Sequence, residues 1–155
     1  MKLLPVAIVV VCWLSISCQV ETLPAEYHND SLNSTSSTCG GNCPSGCNTC
    51  PCGTGPSAVN IRQWCARYNW NQANCECIVR HESAGNAYAQ HMNRDGTYDV
   101  GLWQINQNNW SACSGGRAPC DPNSNLNCAA NVYRWGGNTW RLWATCGMCN
   151  ACNSA

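Results

Sequence analysis

The chain is poor in charge. Acidic and basic residues make up 10% of its 155 positions, against about a quarter in an average soluble protein, and they cancel to a formal net charge of zero. With no basic block, it lacks the electrostatic footprint of a nucleic-acid partner. Lysine is almost missing: Lys2 is the only one, so the remaining positive charge rests on arginine. Phenylalanine is absent, and eight tryptophans stand in the aromatic positions beside five tyrosines. At 155 residues there is room for one domain with a modest core, not for two.

Cysteine is what the chain has in abundance, sixteen in 155, a density typical of disulfide scaffolds in oxidising compartments. The N-terminus agrees. Lys2 precedes "LLPVAIVVVCWLSI", an apolar run ending in small residues near Ser15 to Cys18, which has the layout of a secretory signal peptide over residues 1–18. The run is too short for a comfortable transmembrane span, so no membrane association is expected after cleavage. Removal of Cys12 and Cys18 leaves fourteen cysteines, an even number that fits seven bridges. The expected location is extracellular, or the lysosomal or vacuolar lumen.

Residues 19–38 are polar and rich in Ser and Thr, a flexible linker or propeptide, with glycosylation sequons at Asn29 and Asn33. "CGGNCPSGCNTCPCGTGP" over 39–56 is a Cys-rich cap. Its Cys47-x-x-Cys50 pair has a zinc-ligand spacing, but the secretory context favours a bridged, loop-rich segment. The tail "CGMCNAC" mirrors it, and both ends are expected to be tied to the body, or to each other, by disulfides.

The body, residues 57–155, reads as helices around a small sheet. Ile61, Trp64, Cys65 and Tyr68 form an amphipathic stripe with Ser57 or Asn60 as N-cap. Cys75, Ile78, Val79 and Glu82 form a second stripe, ended at Gly85. Asp121-Pro122 announces a third helix carrying Leu126, Ala129 and Tyr133 and stopping at Gly136-Gly137; "NTWRLWATC" predicts a last short helix. Between the second and third helices, Asp95-Gly96 signals a tight turn between short strands.

Two carboxylates stand out. Glu82 lies in the apolar stripe at the last turn of its helix, where burial and the helix dipole both disfavour its ionised form. A carboxyl still protonated near neutral pH is what general-acid catalysis requires. Asp99 lies seventeen residues on, sharing a strand face with Thr97, among hydrogen-bonding side chains such as Asn93, Thr97 and Asn106. Two carboxylates in such different environments suggest a division of acid and base labour; Asp95 suits the role of turn former. Tryptophan faces pack on sugar C–H faces and carboxamides bond sugar hydroxyls, and "GLWQINQNNW" holds both. Trp64 and Trp143 are expected in the core, and Trp110, in a polar loop, is the candidate sugar platform.

"CIVRHES…NRDGTYDVGLWQIN" resembles the catalytic segment of c-type lysozymes, with a cysteine five residues before the glutamate, a D-G turn and a T-x-D-x-G-x-x-Q-I-N run. "CSGGRAPC", "DPNSNLNCAANVYRW" and "TWRLWATC" extend the resemblance over roughly residues 57–150. It implies a lysozyme-like α+β fold, a helical lobe and a small antiparallel sheet with a cleft between them. It also implies Glu82 as general acid and Asp99 as nucleophile or cation stabiliser. Trp140 would be the aromatic wall against Glu82, with Gln104, Asn106, Trp110 and Asn93 lining the sugar cleft, and Cys77 bridged to Cys146. In retaining glycosidases of this type, lysozyme being the standard example, the two carboxyl groups lie about 5 Å apart.

The implied function is a monomeric, secreted, bacteriolytic muramidase acting on peptidoglycan or a chitin-like polysaccharide, with no cofactor or metal. "ESAGNAYA" also resembles soluble lytic transglycosylases, which work with the glutamate alone, and a non-catalytic glycan-binding module is the third alternative. The cap has no counterpart in the c-type pattern. With only Cys113, Cys120 and Cys128 in the following region, the partner of Cys128 stays open between the other two.

Overall fold

The computed structural model describes residues 39–154, so the expected signal peptide, linker and sequons lie outside the described residues. Polar side chains cap the starts of α-helices at Asn60, Asn71 and Asp121. Asn60 Oδ1 accepts from Gln63 N at 3.1 Å and opens α1, Ile61–Cys65; Asn71 Oδ1 accepts from Asn74 N at 3.0 Å and opens α2, Gln72–Ser83. A short α3 spans Trp110–Ser114. Asp121 Oδ1 takes the N–H groups of Asn123 and Ser124 and, with Pro122 at the first helical position, opens α4, Pro122–Trp135.

Two helix expectations are corrected. The first stripe predicts a helix through Tyr68, yet α1 ends at Cys65. The indole N–H of Trp70 takes the Cys65 carbonyl at 2.8 Å, the acceptor that a further helical turn would have used. "NTWRLWATC" forms turns, and then a short 3-10 helix, Ala144–Gly147. By contrast α2 stops where expected: Ala84 (φ 51°) and Gly85 (φ 80°) both adopt the left-handed conformation.

The strands β1, Gln90–Met92, β2, Tyr98–Val100, and β3, Ile105–Asn106, form an antiparallel sheet in that order. The β1–β2 connection is built at Asp95-Gly96. Asp95 Oδ1 accepts from Thr97 N at 3.0 Å and from Thr97 Oγ1 at 2.7 Å, Asn93 N donates to Thr97 O at 2.8 Å, and Gly96 has φ 83°. These two bonds from Thr97 hold the Asp95 carboxyl below its usual pKa.

The sheet leads directly into the core. Val100, Leu102, Trp103 and Ile105 are buried with Ile78 and Val79 of α2 and Leu126, Ala129 and Tyr133 of α4. Trp70 and Trp140 pack in the same layer with tilted rings, their centroids 4.9 Å apart. Trp64 is only partly buried, with the Arg67 guanidinium 3.9 Å from its ring centroid. One polar side chain sits at the centre: Asn125 Nδ2 donates to Val100 O at 2.9 Å and Pro119 O at 2.8 Å, and Oδ1 accepts from Trp103 N at 3.0 Å.

Seven disulfides join the described cysteines. Cys39–Cys50 and Cys43–Cys47 close the cap on itself, so the two members of the zinc-spaced pair go into different bridges. Cys52–Cys120 ties the cap to the segment before α4. Cys128 pairs with Cys113, and Cys65 with Cys75. The implied Cys77–Cys146 bridge is corrected: Cys77 pairs with Cys149, and Cys146 with Cys152. The tail offers Cys146 a partner six residues away, leaving Cys149 for α2.

The cap is bound to the edge of the sheet by more than its disulfide. Strand β1 is the edge strand, and its outward N–H groups are taken by the cap: Gln90 N donates to Asn42 O at 2.7 Å and Met92 N to Ser45 Oγ at 3.3 Å. The buried Gln90 side chain accepts from Cys52 N at 2.8 Å and donates to Gly53 O at 3.0 Å. On the face of the hairpin away from Asp99, Met92 and Tyr98 pack against Cys39, Cys43 and Cys47.

Candidate active site

A cleft of about 930 Å³ lies between the β1–β2 hairpin and the segment Leu142–Ala144, with Glu82 and Asp99 both in its lining. Each carboxylate is delivered by a different element. Glu82 is on the last turn of α2, and β2 carries Asp99, paired with His91 on β1 and Asn106 on β3. The helix and sheet pack on one core, so their ends meet at the cleft.

The two groups differ as their surroundings dictate. Burial pushes the Glu82 carboxyl up from its usual pKa; a hydrogen bond from Thr145 Oγ1 pulls the other way, and the nearby Asp99 charge adds to the rise. Asp99 is held as an acceptor from both sides. Asn93 Nδ2 donates to its Oδ2 at 3.0 Å and Asn106 Nδ2 to its Oδ1 at 2.8 Å. Both carboxamides also reach Thr97 Oγ1 at 3.2 Å, which donates to Asp95, so the turn and the carboxylate share one network. Replacing Thr145 by alanine removes the contact that favours ionised Glu82. The NMR titration of the Glu82 carboxyl is therefore expected to move to higher pH; an unchanged or lower midpoint would contradict this account.

Of the residues named from sequence, Glu82, Asn93, Asp99, Gln104 and Asn106 come together at this cleft. Gln104 has φ 46°, and its Nε2 is committed to Ala89 O at 3.0 Å and Gly101 O at 2.9 Å, so toward a ligand it offers Oε1. Trp110 and Trp140 do not join them. Trp110 is not in a polar loop: it begins α3, is buried, and donates its indole N–H to Ile105 O at 2.9 Å. Trp140 is fully enclosed by Trp70, Tyr133 and Trp143, one layer behind the cleft.

The aromatic lining beside Glu82 is Trp143, which is both core and cleft wall, with its indole N–H donated to Trp103 O at 2.8 Å. Leu142, 53% exposed, forms the apolar rim next to it. Leu142 and Thr145 lie within "TWRLWATC" and His91 outside the quoted motifs; nothing local marks any of the three as a site residue, and only contacts across the fold reveal them. Cys77, His81 and Cys149 also cluster, but the two sulfurs are bonded to each other and are not free thiolates for a metal.

A helical lobe, a three-stranded antiparallel sheet and a carboxylate from each lobe facing one cleft define a lysozyme-like domain. Residues 73–145 match the family model described as "Lysozyme like domain". A similar curated protein is lysozyme c-1 of Anopheles gambiae, 31% identical over 88 residues, an alignment taking in 50% of this chain and 59% of that protein. The chain thus spans about three-fifths of the length of the relative it matches. Among the described residues no helix is long and apolar enough to cross a membrane.

Proposed function

We propose that the chain is a secreted glycosidase that cleaves β-1,4 links of bacterial peptidoglycan by a retaining mechanism. The observation that carries the reading is the unequal carboxylate pair on one cleft: Glu82 raised by burial, Asp99 held by Asn93 and Asn106. Glu82, protonated, donates its proton to the glycosidic oxygen as that bond breaks. Asp99 meets the cationic sugar carbon from the other side, by covalent attack or as its counter-charge. Water then adds with Glu82 as base, restoring both groups. Leu142 and Trp143 offer apolar surface to sugar C–H faces, and Gln104 a hydroxyl partner. The proposed signal peptide over 1–18 and the seven bridges support an oxidising, extracytoplasmic destination.

Products and Asp99→Ala together test the reading. Digestion of peptidoglycan should yield reducing muramic ends by mass spectrometry, and Asp99→Ala should lower kcat/KM by roughly 100-fold or more. Anhydro-muramic ends, with Asp99→Ala nearly as active as the parent, would mean a transglycosylase working through Glu82 alone. Glycan binding without turnover would mean a binding module.

A further inference from the structure

The cleft does not stop at the carboxylate pair. A second cavity of about 480 Å³, within the usual range of roughly 300–1,000 Å³ for ligand pockets, shares Glu82, His91, Asp99 and Gln104 with the first. It continues between the end of α2 and the Cys-rich cap, and Gly41, Asn42 and Pro44 form its cap-side wall. A polymer cut at the pair must extend to both sides of it, and this is where the chain supplies a wall that the c-type pattern lacks.

The wall is built rigidly. Asn42 is buried, with its Nδ2 donating to Gly55 O at 2.9 Å and its Oδ1 accepting from Asn86 Nδ2 at 2.7 Å. Gln90 and the Cys52–Cys120 bridge hold the rest of the cap to the sheet and the pre-α4 segment. A surface fixed in advance binds without paying to order itself. Around it lie the groups that saccharides use: the exposed imidazoles of His81 and His91, the Gln104 carboxamide, and the exposed pyrrolidine face of Pro44.

We propose that the cap is part of the substrate-binding cleft, with Pro44 and the neighbouring Gly41 backbone contacting the saccharide unit on the cap side of the scissile bond. This rests on the glycosidase reading above and extends it to the segment 39–56, which sequence alone sets apart from the catalytic domain. The cap is thereby a specificity element, setting how many sugars the enzyme grips beyond the bond it cuts.

The test uses the full chain carrying Glu82→Gln, so that ligands are not consumed. Oligomers of β-1,4-linked N-acetylglucosamine of increasing length are titrated by calorimetry with and without Pro44→Trp, which fills the cap-side cavity. The longest oligomer should bind roughly tenfold more weakly to the Pro44→Trp form, while the shortest binds equally to both. Asn48→Trp, an exposed cap position outside the cavity lining, controls for cap folding and should match the parent. Identical affinities at every length, no binding at any length, or an equal loss with Asn48→Trp would overturn the proposal. Because binding is read without turnover, its failure is separable from that of the glycosidase reading, which the product analysis decides.

Discussion

Glu82→Gln is expected to lower kcat/KM on peptidoglycan by about 10²–10⁴, the usual worth of a positioned general acid. Glutamine keeps the shape and can still accept from Thr145 but has no proton to give. The same change should stabilise the protein at high pH. Burial raises the folded pKa of Glu82 above its unfolded value of 4.5, so the favourable contribution of the protonated form is present below that value and is lost as pH rises through the folded pKa. Above it the native state holds a buried charge that glutamine does not carry. Calorimetric melting should show Glu82→Gln higher by a few °C near pH 8 and level with the parent near pH 4 (order-of-magnitude expectations for a domain of this size). Undiminished lysis by this variant would sink the assignment of Glu82. A variant no more stable at pH 8 would instead sink the account of its burial.

The second large effect is structural. Asn125→Ala should cost about 3–5 kcal/mol, because it strands the Trp103 N–H and the Val100 and Pro119 carbonyls inside the core and leaves a void. Its partners are among the residues that carry the chain from β2 into the core, so Asp99 is positioned in part by this buried carboxamide. Gly101 shows how closely the parts fit: a Cβ there would lie 2.1 Å from Asn125 Nδ2, at a backbone φ of 80°. Urea unfolding of the oxidised protein measures the cost, and a loss below about 1 kcal/mol would mean the three groups find other partners.

Much of the architecture was legible along the chain because its signals are local. Asn60, Asp121-Pro122 and Asp95-Gly96 act on backbone groups within three residues of themselves, and they start or turn elements where expected. The hydrogen-bonded setting of Asp99 was also readable, since Asn93, Thr97 and Asn106 lie close to it on a hairpin and the next strand. The aromatic assignments fared worse. Polarity around Trp110 suggested exposure, but its indole N–H finds Ile105 O inside the fold, which satisfies the one polar atom that burial would otherwise penalise.

By itself the sequence determined a disulfide-rich α+β chain with an unusual glutamate at a helix end and an aspartate beyond a turn, because periodicity and turn chemistry are short-range properties. The tertiary structure decided what faces the cleft and which cysteines pair. Thr145 reaches Glu82 across 63 positions, and Cys52 and Cys77 find partners 68 and 72 residues away. It also placed the cap against the pair. Those contacts depend on how the packed lobes bring distant segments together, and no local pattern records that.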